Sequence, residues 1–402
     1  MSFQQGLSGL NAAAKNLDVI GNNVANSSTV GFKQSQAQFA DVFANSLTGA
    51  GGSQVGIGVQ VAQVTQQFTQ GNITATNNPL DIAINGGGFF RMDNGGEIAY
   101  QRNGQFQLDS SGYIVNASGS YLTGYTADAS GVLSTGAPAP LFINTADLIP
   151  QVTGEVTSVL NLDSTVSTLT AAGFNQNDPT TFHNSTAVSI FDSLGNSHTL
   201  QTYYVKTAAG QWEVFASTDG DPAASLGTLT FASDGTLTSG SPLSASVNVT
   251  TGATTPFAVS IDYSGTTQFG SAFSVNQLNQ DGYTSGRLTG FNIGDDGVIQ
   301  GRYTNGQSAV LGQVVLASFA NPNGLQPLGN NMWAETYESG SPLVGTPDTG
   351  SLGVLQSSAV EDSNVDLTAE LVNMITAQRV YQANAQTIKA QDAVLQTLVN
   401  LR

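Results

Sequence analysis

The two ends of this 402-residue chain carry a helical spacing that nothing between them shares. From Phe3, apolar or small residues recur at Leu7, Leu10, Ala14, Leu17, Gly21 and Val24, alternating steps of four and three. That period gives a helix with a narrow packing seam, about 24 residues and ~36 Å long. The C-terminus repeats the device at greater length through Leu367, Leu371, Met374, Gln378, Tyr381, Ala385, Ile388, Asp392, Leu395 and Val399. Asn364 or Asp366 is its candidate N-cap, with Glu370 early and Lys389 and Arg402 late, as the helix dipole favours. Both helices are polar on their other faces, so the seams are expected to pack on each other or on other subunits. Gly21, Gln378 and Asp392 interrupt them, which argues against a strong isolated two-stranded coil. Helices of this kind are marginal alone in water, so the ends are expected to be disordered in a monomer and to fold on assembly.

Between the ends the chain reads as β. Leu80, Ile82 and Ile84 alternate with polar residues up to the Gly86-Gly87-Gly88 break. Asn94-Gly95, Asn103-Gly104, Ser111-Gly112 and Ser118-Gly119 then follow as candidate hairpin turns of an antiparallel sheet. A similar rhythm resumes at Asp296-Gly297, Asn305-Gly306 and Asn323-Gly324. Val188 and Ile190, a turn at 192–196, and Tyr203, Val205, Trp212 and Val214 mark strands in the middle. The expected organisation is a helical domain from 1–30 and 364–402, a connector from 31–78 and 358–363, an inner β domain from 79–144 and 285–357, and an outer β domain, 145–284, inserted in it. Gly49 to Gly58 is a candidate flexible connector. The fold class is mainly β with helical termini forming a coiled-coil inner domain, and with nested antiparallel β domains.

Charge sharpens this division. The net charge is −18, which excludes the clustered cations that nucleic acid or an anionic membrane requires. Segment 145–284 alone holds eleven acidic residues and one basic, whereas 1–40 is +1 and 364–402 is neutral. Neutral ends suit close association, and an acidic centre suits an exposed, mutually repelling surface. There is no Cys, so disulfides, thiolate catalysis and Cys-based zinc sites are excluded. No apolar run is long enough to span a membrane, and the first residues lack the features of a cleaved secretory signal. The sparse charge and richness in Gly, Thr, Ser and Asn nevertheless suit an extracellular surface. These two observations conflict on residue chemistry alone.

The inventory for catalysis is thin. His183 and His198 are the only histidines, without metal-ligand spacing around them. No phosphate loop, dinucleotide fingerprint or nucleophile elbow occurs. Asp348-Thr349-Gly350 matches the aspartic-protease triplet, but that chemistry needs two such carboxylates and one copy is present. We expect no enzyme activity, no cofactor and no metal. A secreted β-rich adhesin or glycan-binding module would account for the acidic β core but not for the seams at both ends.

The ends carry a family resemblance. GLSGLNAAAKNLDVIGNNVANSSTVGFK at 6–33 resembles the N-terminal signature of the bacterial flagellar rod, hook and hook-associated proteins, with Asn22, Asn23, Asn26, Gly31 and Phe32 at its characteristic positions. SNVDLTAELVNMITAQRVYQANAQTIKAQDAVLQTLVNLR at 363–402 resembles the C-terminal partner, with Asn364, Asp366, Gln378 and Arg379. DIAINGGGFF at 81–90, YQRNGQFQLDSSGYIV at 100–115 and YTNGQSAVLGQVVLASFANPNGL at 303–325 are similar to its β region. IFDSLGNSHTLQTYYVK at 190–206 resembles the outer domain of hook members, so the insert favours the hook branch over the distal rod.

The resemblance implies a structural subunit that polymerises helically into a short curved tube, a universal joint between rod and filament that encloses the export channel. Terminal helices would line the tube and β domains would form its outer layers. It also implies export through the flagellar type III apparatus without a cleaved signal, which removes the conflict over localisation. The implied partners are further copies of the chain, the distal rod protein, the hook cap protein, the hook-filament junction protein and the export apparatus, with no membrane insertion. Some family members crosslink neighbours through Cys and Lys, a route closed to a Cys-free chain. Leu7, Leu10, Leu17, Ile20 and Val24 are the candidate polymerisation residues of the first helix, facing Leu371, Met374, Tyr381, Ile388 and Leu395 partly within and partly between subunits.

Overall fold

A computed structural model describes residues 2–42, 56–128 and 131–400. Most of the glycine-rich segment from Gly49, and Arg402, lie outside them. The chain is mainly β, with one long helix at each end: α1 spans Ser2–Ala25 and α2 spans Leu367–Asn400. Asp366 is the cap of α2, its Oδ1 accepting the backbone N–H groups of Thr368 at 2.9 Å and Ala369 at 3.1 Å. Asn364, the alternative, is used elsewhere.

The described residues form two compact units, 1–144 with 290–301 and 308–402, and 145–289 with 302–307. In the first, Phe89–Asn94 and Glu97–Gln101 make a hairpin in which Asn94 pairs with Glu97. The two linking residues, Gly95 and Gly96, both have positive φ, the backbone that matches the twist of flanking strands. Tyr121–Thr126 lies inside this sheet, paired with Phe89–Asn94 on one side and Ser308–Val314 on the other. Its core is aromatic: Phe89, Tyr100, Phe319 and Trp333 pack edge to face with centroids 4.8 to 5.8 Å apart. Such pairs add about 0.5–1.5 kcal/mol each beyond the area they bury.

Asn103-Gly104, a candidate turn, is not one. Gly104 lies so close to the Ile82 carbonyl that an added Cβ would sit 1.7 Å from its oxygen, and its own carbonyl accepts the Ile82 N–H at 2.9 Å. The glycine is there because two backbones cross. Ser111-Gly112 and Ser118-Gly119 do reverse the chain, with positive φ at Gly112 and Gly119.

The second unit is a sandwich. An antiparallel meander of Asn184–Phe191, Ser197–Ala208, Gln211–Thr218, Ala224–Phe231 and Leu237–Ser239 faces a sheet of Leu243–Val247, Phe257–Asp262, Glu155–Asn161 and Ser274–Gln280. Tyr204, Trp212, Val214 and Leu229 from the first sheet share one core with Leu160, Val247, Ile261 and Tyr263. At its edge, Asp192 closes the 192–196 turn by accepting the N–H groups of Leu194 and Asn196. Its other oxygen accepts from Thr251 at 2.6 Å and from His198 Nε2 at 3.3 Å, while His198 Nδ1 donates to Asp219 at 2.6 Å.

Burial works against a charged His198, but its bonds to Asp219 and Asp192 outweigh that and raise its pKa above the ordinary imidazole value. Asp192 and Asp219 are correspondingly lowered, burial being outweighed by hydrogen bonds. The imidazolium therefore stabilises the unit fully below about pH 6.5 and is lost as pH rises through the folded value, whereas the carboxylate contributions are lost only on acidification below about pH 4. In full-length chain carrying Trp333→Phe, so that Trp212 alone reports, the melting midpoint of this unit is expected to fall between pH 6 and 9. His198→Gln is expected to flatten that dependence; a wild-type midpoint that does not move would contradict it.

Candidate assembly surface

The N-terminal chain leaves α1 through a run of asparagines. Asn22 offers its carbonyl to both the backbone N–H of Asn26, at 3.1 Å, and its side-chain amide, at 3.0 Å, which ends the helix. Asn26 Oδ1 in turn accepts from Thr29 at 3.2 Å. Asn23 is buried and pairs with one backbone unit: its amide donates to the Ser35 carbonyl at 2.8 Å and its oxygen accepts the Ser35 N–H at 2.9 Å. This fixes Ser35–Val42, which forms a hairpin with Gly58–Gln66 against α1. Gln5 reaches the Gly56 carbonyl, and Ser8 Oγ accepts from Val59. Its side-chain bonds across the strands are made by glutamines, such as Gln63 to Gln38 at 2.9 Å and Gln38 to Thr65 at 3.3 Å.

Beyond this hairpin the returning C-terminal chain is tied in. Ala359–Glu361 pairs with Ile73–Ala75, and Val354–Ser357 with Ile82–Asn85. Gly31 sits at φ +71° with its N–H on the Glu361 carbonyl at 2.8 Å, and a Cβ there would meet the Asn103 nitrogen at 2.6 Å. Phe32 is half-buried beside it. Asn364 accepts from the Gln34 N–H and donates to the Gln67 carbonyl, both at 2.7 Å.

Under this crossing is a fully buried ion cluster. Lys33 Nζ lies 2.6 Å from Glu361 Oε1, and Arg102 Nε lies 3.0 Å from Oε2. Lys33 also donates to the Thr69 carbonyl, Arg102 to those of Gly86 and Gly88, and the Gly71 N–H to Glu361. Burial lowers the Lys33 pKa, Glu361 opposing and Arg102 adding to it; burial likewise lowers that of Arg102. These residues escaped sequence reasoning because they meet only in the folded chain; Lys33 and Arg102 lie within segments that carry the family resemblance, whereas Glu361 lies just outside them.

The helices pack antiparallel, with small residues of α1 set against α2. Gly6 lies against Ile388 and Gly9 against Asn384, where an added Cβ would come within 3.2 and 2.8 Å. Ala12 and Ala13 are also buried. Of the candidate polymerisation residues, Ile20 is buried, Leu10, Leu17, Val24, Met374 and Ile388 are half-buried, and Leu7, Leu371, Tyr381 and Leu395 are exposed. Phe3, Val372, Ile375, Val380 and Val394 extend this exposed apolar surface. Gln378 and Arg379 are exposed as well. The spacing Gly6, Gly9, Ala13 was the available signal for the face used inside the subunit.

Both histidines are engaged structurally, His183 bonding the Ser167 carbonyl at 2.7 Å and accepting the Lys206 N–H at 3.2 Å. Asp348, of the protease-like triplet, occupies a left-handed turn at φ +61°. Among the described residues no three side chains are grouped to hold a metal ion, and no helix is long and apolar enough to cross a membrane.

Comparison with known proteins agrees along the whole chain. Family models described as flagella basal body rod protein, flagellar hook protein FlgE/F/G D1 domain, flagellar basal body protein FlaE D2 domain, and flagellar basal body rod FlgEFG protein C-terminal match residues 3–33, 83–158, 161–283 and 356–401. The chain is 46% identical to the flagellar hook protein FlgE of Salmonella typhimurium and 44% identical to that of Escherichia coli K12, covering 100% of both partners in each case. It is 34% identical to the Borreliella burgdorferi protein of that name, over 100% of this chain and 99% of the other. The crystal structure of Helicobacter pylori flagellar hook protein FlgE2 shares the fold, with TM-score 0.55 at 14% identity, over 72% of this chain and all of that one.

The ion cluster yields a stability test. Replacing Glu361 by Gln leaves two buried cations without their counter-charge, which costs about 3–5 kcal/mol. Denaturant unfolding is expected to show that loss in the first unit, and a loss below about 1 kcal/mol would contradict the role given to this carboxylate.

Proposed function

The chain belongs to the flagellar hook protein FlgE family, and from that premise we propose that it polymerises into a flexible curved tube joining the rod to the filament. The observation that carries this reading is the apolar surface left open on both terminal helices, Phe3 and Leu7 on α1 and Leu371, Val372, Ile375 and Val380 on α2. Solvated apolar area of that extent marks an interaction surface. A helical polymer needs heterologous contacts that repeat without closing. Two antiparallel helices held on one face by glycine and alanine, with larger side chains turned outward, supply such contacts to neighbouring copies.

In this reading the helical ends line the export channel, and segments 79–144 with 285–357 and the acidic 145–284 form successive outer layers. Like-charged outer domains that attract one another weakly can slide as the tube bends, while the inner helices keep it continuous. Distal rod, hook cap and hook-filament junction proteins would meet its ends, and export through the flagellar type III apparatus would deliver it. The role is structural, without catalysis or cofactor.

Electron microscopy of concentrated purified protein is expected to show curved tubes or protofilaments. Monomers that persist and bind glycans would instead favour an adhesin. Replacing 145–284 by a tight turn is expected to leave polymerisation intact and to alter curvature or stiffness. If such subunits are exported normally and never polymerise, the division of labour between ends and insert is wrong.

A further inference from the structure

The groove between α1, α2 and the 35–66 hairpin holds a carboxylate with more acceptor capacity than its own subunit uses. It has a volume of about 660 Å³ and is lined by Asn16, Ile20, Asn23, Gln34, Asn373 and Thr376, with Glu370 and Val380 on the α2 wall. Glu370 is only 3% exposed. Its Oε1 accepts from Gln34 Nε2 at 2.6 Å, while Oε2 is buried with no hydrogen-bond donor among the described residues. A buried carboxylate oxygen without a donor is costly. The polar lining makes the groove suited to a charged donor rather than an apolar plug.

Five of the ten cations of this chain already have partners, and a sixth, Arg302, is exposed in the second unit. Lys33 and Arg102 are in the ion cluster, Arg91 bonds Thr123, Lys206 bonds the Ser164 and Val166 carbonyls, and Arg287 lies 3.6 Å from Asp147. On the described helices Lys15, Arg379 and Lys389 are exposed, and no salt bridge engages them. Arg379 is exposed one turn beyond Ile375, itself an exposed apolar residue of α2. Its planar fork can bond a carboxylate oxygen and neighbouring amide oxygens together, which an ammonium does less well.

We propose that Arg379 of one copy enters this groove of a neighbouring copy and donates to Glu370 Oε2, setting the register of the repeating contact. The inference rests on the assembly reading above and names one pair within it. Apolar side chains give that interface its area, and a charge pair buried in it gives specificity, because a displaced register leaves Glu370 unmatched.

The test uses full-length chain and the critical concentration for polymerisation, measured by sedimentation. Glu370→Gln keeps an acceptor for Gln34 and places an amide donor where the guanidinium would bind. The monomer is expected to melt as wild type does, while the critical concentration rises about tenfold or more. Arg379→Gln is expected to raise it similarly, and the double variant no further than either single one. An unchanged critical concentration for Glu370→Gln, or additive effects of the two changes, would overturn the pair. So would non-additivity of Glu370→Gln with Lys15→Gln or Lys389→Gln in place of Arg379→Gln. Absence of polymers from wild type would sink the assembly reading itself, whereas normal polymers from Glu370→Gln sink only the pair.

Discussion

Glu361 lies where passages of chain far apart in sequence cross, and both of its carboxylate oxygens face buried cations, Lys33 on one side and Arg102 on the other. Two positive charges and one negative in a dry site would be unfavourable alone. Carbonyls of Thr69, Gly86 and Gly88 accept further hydrogen bonds from Lys33 and Arg102. The cluster contributes little net stability compared with an apolar plug of the same shape, but breaking it strands charge in the interior. It therefore acts as a register lock. The N-terminal chain after Gly31 and the C-terminal chain before Asn364 meet there in a single arrangement; α1 ends shortly before it and α2 starts shortly after it.

From that anchor the helices extend with different security. Near it, Asn23 and Asn364 clamp the connector through paired amide bonds, and Asp366 caps α2. Farther out, Gly6 and Gly9 let α1 approach Ile388 and Asn384 of α2, while Phe3, Leu7 and Leu395 stay exposed. Close approach of two backbones gains dispersion but buries little area. The distal halves are thus the part whose stability depends on other copies.

How much of this was legible in the sequence depended on whether the signal was periodic or pairwise. The helices, the Asn94-Gly95 turn and the strands around Tyr203 and Trp212 follow from local rules, and the structure has them. The hairpin from Ser35 to Gln66 was missed although Ala37 and Phe39, and Val59 and Val61, alternate with polar residues; each run is short, and a register shift at Gln38/Phe39 interrupts the pairing. Asn103-Gly104 misled because a turn and a tight backbone crossing both demand glycine. The leucine seam was visible, but the face α1 turns to α2 is chosen by size at Gly6, Gly9 and Ala13. Glu370 reads locally only as an acidic residue in the first turn of a helix, and Glu361 has no local reading; the pairings with Gln34, Lys33 and Arg102 exist only once distant segments meet.

The central claim is that a buried ionic crossing fixes each subunit while the distal helices are completed by neighbours. Amide hydrogen exchange in monomer and in polymer tests it most directly. The account predicts that 31–33, 71–75 and 359–361 are protected in both states, and that 2–12 and 381–400 gain protection only on polymerisation. Distal helices equally protected in the monomer, or a crossing that exchanges freely until assembly, would contradict it.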